Sequence, residues 1–187
     1  MSEIGLGGPQ ICHSPPMPAL TTLVPHVTTE RLLLRELRKR DFDAYAESMA
    51  DPVATAHLSG VLDRRAAWRT FAAASGMWML DGAGWWAVEL RETQEIVGTV
   101  GAFFRESCPD LEIGWTVFRR FWRRGFGTEA ARAALAFGLH AHGKTRAIAH
   151  ISSANVASVR VSEHLGMRYE RDVDFFGEPV GRYAVES

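Results

Sequence analysis

Residues Val117 to Ala131 read V-F-R-R-F-W-R-R-G-F-G-T-E-A-A. An alternating apolar segment, Leu111 to Val117, leads into this stretch, and an alanine-rich helical pattern leads out of it. The order is strand, glycine loop, helix start. A helix N-terminus carries unpaired backbone N–H groups and the positive end of its dipole, so it attracts phosphate. Glycine lets the backbone approach an anion closely, because no Cβ intervenes. Arg119, Arg120, Arg123 and Arg124 place guanidinium groups beside Gly125 and Gly127, and guanidinium suits phosphate recognition. The chemistry indicated is a phosphate-bearing ligand at Arg123–Thr128. The plainer alternative is an ordinary strand-to-helix turn with solvated arginines, and the loop alone leaves both open. No Lys-Ser/Thr follows the glycines, so this is not a nucleoside-triphosphate loop. No third glycine follows three residues after Gly127, so it is not a dinucleotide fingerprint.

The rest of the chain limits the choice of ligand. It has 187 residues, enough for one domain and a tail. At 47% hydrophobic and 23% charged it has the composition of a soluble globular protein. A net charge of -1 argues against a long polyanion such as nucleic acid, or an acidic membrane surface, as partner. The arginine cluster is thus a local feature suited to a small anion. The two cysteines, Cys12 and Cys108, form neither a disulfide framework nor a metal pattern, and a reducing cytoplasm is the expected location. No membrane-length apolar run and no signal peptide are expected. The histidines, including His150, have no ligand spacing, so no metal is expected.

Residues 1–25 hold five of the eight prolines and read as a flexible extension, or as a segment draped over a partner subunit. The domain is expected over 26–187. Thr28–Leu37 reads as a first strand, with Leu32 and Leu34 on one face and Arg31, Leu33 and Arg35 on the other. Asp41 is placed to cap a helix to about Ala50, and Asp63 a second to about Leu80. Trp68, Phe71, Ala72, Ser75, Trp78 and Met79 recur at helical spacing and read as core. A hairpin turns at Glu92-Thr93-Gln94, and Cys108-Pro109-Asp110 reads as the next turn. In the fourth expected strand, Leu111, Ile113, Trp115 and Val117 face one way and Glu112, Gly114 and Thr116 the other. Gly114 suggests a bulge or a close-approaching ligand. A helix to about Ala141, a strand Arg146–Ile151, a helix Asn155–Leu165 stopped by Gly166, and a final hairpin complete a mixed α/β sheet with helices on both faces.

Four stretches together carry a resemblance. They are T-E-R-L-L-L-R (Thr29–Arg35), L-E-I-G-W-T-V (Leu111–Val117), W-R-R-G-F-G-T-E-A (Trp122–Ala130) and N-V-A-S-V-R-V-S-E-H-L-G-M (Asn155–Met167). From about Thr28 to Val185 the chain resembles the GNAT superfamily of acyl-CoA-dependent N-acyltransferases. More narrowly it resembles the branch of RimJ/RimL-like ribosomal-protein N-terminal acetyltransferases. The resemblance implies a mostly antiparallel sheet of about seven strands, splayed between the fourth and fifth. It implies acetyl-CoA as co-substrate, its pyrophosphate on the amides of Arg123, Arg124, Gly125, Phe126, Gly127 and Thr128. The pantetheine arm is expected beside the strand backbone near Thr116 and Val117, with Asn155 alongside.

The implied reaction is attack of an amine on an acetyl thioester. The amine must first be neutral, and an α-amino group with a pKa of about 8 or a lysine of about 10 benefits from a base. Glu112 is the candidate, and a structural pair with a neighbouring Arg is its alternative role. Many superfamily members have a tyrosine as acid where this chain has Ser162. Ser158 is then the candidate proton donor to the thiolate, with helix-start hydrogen bonding as its alternative. The acceptor is open: a protein N-terminus, an amino acid, a polyamine or an aminoglycoside-like amine. The family also accommodates homodimers. A non-catalytic acyl-CoA-binding sensor or scaffold is the competing function.

Overall fold

The structure, a computed structural model, describes residues 24–58, 60–106, 108–175 and 177–186. The expected extension therefore falls almost wholly outside the described residues. Val24 and Pro25 already belong to the fold, because the indole of Trp86 donates to the Pro25 carbonyl at 2.7 Å.

Two short strands, β1 (Val27–Thr28) and β2 (Leu32–Arg35), replace the single first strand expected from the sequence. The chain folds back between them because Thr29 caps the turn, its Oγ1 accepting the Leu32 amide at 3.0 Å. Helices α1 (Phe42–Ala50) and α2 (Arg64–Asp81) follow. Asp63 caps α2 as expected, accepting from the Ala66 amide at 2.7 Å. Asp41 does not cap α1 with its side chain. Its carboxylate is taken by Arg35 at 2.7 and 2.8 Å and by the Arg38 amide at 2.8 Å. In α2, Ala67, Phe71 and Trp78 are buried, but Trp68 and Met79 are exposed, so the core stripe is narrower than the sequence pattern suggests.

Strands β3 (Gly84–Leu90) and β4 (Ile96–Arg105) are buried along almost their full length. Strand β5 spans Cys108–Val117, so Cys108-Pro109-Asp110 is not a turn but the strand's first residues, with Cys108 opposite Arg105. Helix α3 (Phe126–Ala141), strand β6 (Arg146–Ile151), helix α4 (Val156–His164) and strands β7 (Arg168–Phe175) and β8 (Glu178–Glu186) complete the chain. The eight strands form one sheet in the order β1-β2-β3-β4-β5-β6-β8-β7. Every neighbouring pair is antiparallel except β5 and β6. Strand β7 forms one edge and carries alternating charge, which discourages edge-to-edge association.

The expected splay lies between β5 and β6. Only Leu111↔Ala147 and Glu112↔Ile148 are paired, and both strands run on past that point without pairing each other. Helix α3 lies tightly on the Leu111 face. A Cβ on Gly138 would meet the Leu111 and Ala102 side chains at 2.9 Å.

Candidate active site

The turn after β5 has the geometry that its sequence suggests. A 3-10 turn, Arg119–Phe121, leads to Arg123 and Gly125, both with positive φ, 61° and 78°. This left-handed backbone turns the chain sharply into α3. Gly125 is the N-cap of α3, and no side chain caps that end. The first amides of α3 are thus offered to an external acceptor, the arrangement that binds phosphate.

The four arginines divide into two pairs. Arg119 pairs with Asp51 at 3.3 Å and Arg120 with Glu95 at 2.7 Å. Among the described residues no carboxylate pairs with Arg123 or Arg124. Arg124 lies 4.8 Å from the ring centroid of the buried Phe126, and Arg31 lies at the same distance from that ring. A brace that sequence reasoning missed holds the turn in place. Glu129, in the first turn of α3, accepts from Thr29 Oγ1 at 2.5 Å, the Arg31 amide at 2.9 Å and Arg31 Nε at 2.7 Å. Arg31 also donates to the Arg124 carbonyl at 2.9 Å. Burial pushes the Glu129 carboxyl up, but the Thr29 and Arg31 hydrogen bonds outweigh it and hold it below its ordinary value. The sequence contained a signal for the brace, since Thr29 and Arg31 open one of the four characteristic stretches.

The edge of β5 that faces the gap follows from strand alternation. The Phe118 amide bonds the Val97 carbonyl on β4. The Thr116 carbonyl also points to β4, since it would lie 2.1 Å from a Cβ on Gly98. The backbone groups of Ile113, Trp115 and Val117 therefore face the gap. Of the two residues expected beside a pantetheine arm, Val117 presents its backbone there and Thr116 does not. The Val117 carbonyl is moreover occupied by the Trp122 indole at 2.7 Å.

Gly114 marks neither a bulge nor an empty site. The ring of Trp85 fills the space, 2.7 Å from where a Gly114 Cβ would sit, and also covers Gly101 at 2.8 Å. Trp85 stacks on Phe103 with centroids 5.2 Å apart. This aromatic floor leads to Glu112, which lies opposite Phe103.

Glu112 projects from the face expected of it but is 5% exposed and engaged. Arg105 grips it with both ends, Nε to Oε2 at 2.5 Å and Nη2 to Oε1 at 2.8 Å. His150 Nδ1 lies 3.2 Å from Oε2. No aligned hydrogen bond joins the two, and Nδ1 is left buried without a partner. Burial pushes the Glu112 carboxyl up, but His150 and Arg105 more than offset this and hold it below the usual carboxylate range. The Arg105 guanidinium also lies over the Phe103 and Phe175 rings, at 5.4 and 4.6 Å.

Across the gap, Asn155 caps α4, accepting from the Ser158 amide at 3.1 Å. Ser158 is partly exposed, and only its backbone amide is engaged in that cap. Ser162 is fully buried and donates to the Val159 carbonyl at 2.7 Å, a structural role within its own helix. Tyr169 and Tyr183 touch edge to face, 5.8 Å apart, as sheet residues. Among the described residues no group of three or more His, Cys, Asp or Glu could hold a metal, and no helix is long and apolar enough to cross a membrane.

Residues 31–168 match the family model described as "Acetyltransferase (GNAT) domain". The chain belongs to the GNAT acetyltransferase family. Membership supports acyl transfer from acetyl-CoA. The Bacillus subtilis (strain 168) protein YkkB is 31% identical over 176 residues, covering 91% of this chain and 99% of that one. The crystal structure of an acetyltransferase from Agrobacterium tumefaciens superposes with a TM-score of 0.79 at 28% identity, covering 87% of this chain and 95% of that chain. RimL, a ribosomal L7/L12 α-N-protein acetyltransferase solved with coenzyme A, shares the fold alone. Its TM-score is 0.70 at 15% identity, with 87% of this chain and 98% of that chain covered.

Proposed function

We propose that the protein moves an acetyl group from acetyl-CoA to a primary amine, a protein N-terminus or a small-molecule amine, by direct attack. The observation that carries this reading is the uncapped α3 N-terminus at Gly125, continuous with an unpaired β5 edge that ends beside Glu112. The α3 amides, with Arg123 and Arg124, would hold the pyrophosphate. The backbone of Trp115 and the amide of Val117 would hold the pantetheine arm, with the Asn155 side chain beside it. That places the thioester near Glu112 at the point where the strands part. Ser158, one turn into α4 after Asn155, is then the candidate to protonate the thiolate. The Arg105 fork and the low carboxyl pKa weigh against Glu112 taking a proton itself. We assign Glu112 the attraction and orientation of the incoming ammonium. The four sequence stretches favour the RimJ/RimL-like branch.

The test is thermal melting with acetyl-CoA, with coenzyme A lacking its 3′-phosphate, and with ATP. At about a hundred times Kd a ligand adds about 2.7 kcal/mol, a rise on the order of 5–10 °C for a chain this size. Thiol release is then scored with a short peptide bearing a free N-terminus, a free amino acid, spermidine and kanamycin. Melting shifts with thiol release support the reading. Shifts without thiol release for any amine would favour a binding module, and no shift with any CoA species would remove the donor site.

A further inference from the structure

We propose that His150 is the group that takes the proton from the acceptor amine, with Glu112 and Arg105 holding its ring in position. The proposal rests on the acetyltransferase reading above and names the acid–base group of that site.

The argument begins with position. His150 follows Ile148 by two residues on β6, and Ile148 is the last residue paired across to β5. Strand alternation puts His150 on the Ile148 and Glu112 face, just where the gap opens. Its side chain is 10% exposed and its ring lies 5.0 Å from that of Phe175. Nδ1 faces Glu112 Oε2 at 3.2 Å and lacks an aligned bond, although buried polar atoms seldom go unsatisfied. A small rotation of the ring would align Nδ1–H with the carboxylate. That hydrogen bond fixes the tautomer, so Nε2 carries the lone pair.

The charges around the ring suit this role. From β5, Glu112 faces it as an anion held by Arg105 of β4. From β8, its register partner Arg182 is committed to Asp110 and Glu170. From β7 the neighbour is the uncharged Phe175 ring. Glu112, anchored by Arg105, stabilises an imidazolium without competing for its proton. Histidine changes charge near neutrality, whereas an Arg-bound carboxylate does not.

The proton balance closes. The ammonium gives one proton to Nε2, which later returns it to water. The neutral nitrogen forms the N–C bond as the thioester C–S bond breaks. The second proton lost by that nitrogen goes to the leaving thiolate. The net products are the acetamide, the free thiol and one proton.

The test uses the full chain, acetyl-CoA and the amine of the panel above that is turned over fastest, with the variants His150→Gln, His150→Ala and Glu112→Gln. Loss of a general base slows turnover by about 10²-fold or more. His150→Gln should show that loss while its melting shift with acetyl-CoA is unchanged. The near-neutral limb of its kcat/KM pH profile should disappear, leaving only ionisation of the amine. Added imidazole should restore part of the rate to His150→Ala, and amines of low pKa should be affected least. Glu112→Gln should move the near-neutral limb to lower pH, because the imidazolium loses its counter-charge. Unchanged turnover in His150→Gln, or a loss that keeps the wild-type pH limb and ignores imidazole, overturns the proposal. A wild-type protein that binds acetyl-CoA yet acetylates no amine overturns the underlying reading as well, a result distinguishable from an active enzyme indifferent to His150.

Discussion

Two buried arginine–carboxylate clusters lie on the same face of the sheet and differ in one respect. Around Arg35 every contact is closed. Its guanidinium donates to Glu89 at 2.7 Å, to Asp41 at 2.7 and 2.8 Å and to the Glu36 carbonyl at 2.8 Å, and the residue is 1% exposed. Around Glu112 the set is open. Arg105 remains 30% exposed, and His150 touches the carboxylate without completing a hydrogen bond. A saturated buried cluster fixes geometry, since each group has its partner and none is left to react. An unsaturated one beside a gap holds chemical capacity. The registers β2–β3, β3–β4 and β4–β5 place both on one face, so the difference arises from what surrounds each.

The strongest test of this contrast is Arg35→Ala. Breaking a fully buried pair leaves uncompensated charge and costs about 3–5 kcal/mol. The melting temperature should fall on the order of 10 °C in a chain of this length. A fall no larger than that of Arg105→Ala would erase the distinction. Arg105→Ala should instead act mainly on turnover.

A smaller effect concerns acid. The Glu112 carboxyl lies below its ordinary value near 4.5 in the folded protein. A depressed folded value means that its stabilisation is present above the unfolded pKa and lost as pH falls through the folded one. Urea unfolding from pH 7 to pH 3 should therefore show a decline beginning near the ordinary carboxylate pKa. Glu112→Gln should flatten that decline and cost about 2 kcal/mol at neutral pH. A decline equally steep in the variant would assign it to other carboxylates, of which Glu129 is also depressed.

The turn extends the contrast to a site made of backbone. Gly127→Val puts side-chain atoms over the first α3 amides, where a Cβ already meets Val117 at 3.3 Å. Acetyl-CoA affinity should fall tenfold or more, about 1.4 kcal/mol, with the fold retained. Titration calorimetry showing unaltered affinity would remove the anion from this loop. Gly125→Ala should cost only about 1 kcal/mol, the strain of a left-handed residue, and thermal melting measures it.

Much of the fold was legible because it is local. The hairpin at Glu92–Gln94, strand Arg146–Ile151, the Asp63 cap and the stop at Gly166 each depend on a few adjacent residues. The misread segments failed for long-range reasons. Asp41 is a good cap by type, but Arg35 competes for its carboxylate. Cys108-Pro109-Asp110 has turn composition, but pairing with β4 and the ion pair from Asp110 to Arg182 keep it in the strand. Gly114 resembled a bulge because nothing local announces that Trp85, on β3, covers it.

The sequence by itself determined the glycine turn into α3 at Arg123–Thr128, the face from which Glu112 projects, and the start of α4 at Asn155. These follow from backbone periodicity and from hydrogen bonds three or four residues apart. Only the tertiary structure decided that Arg105, His150 and Phe175 meet around Glu112. Alternation states which face a side chain takes, but not which strand lies alongside. That depends on the order β4-β5-β6-β8-β7 and on the parting of β5 from β6 after two registered pairs, and both are settled by long-range pairing.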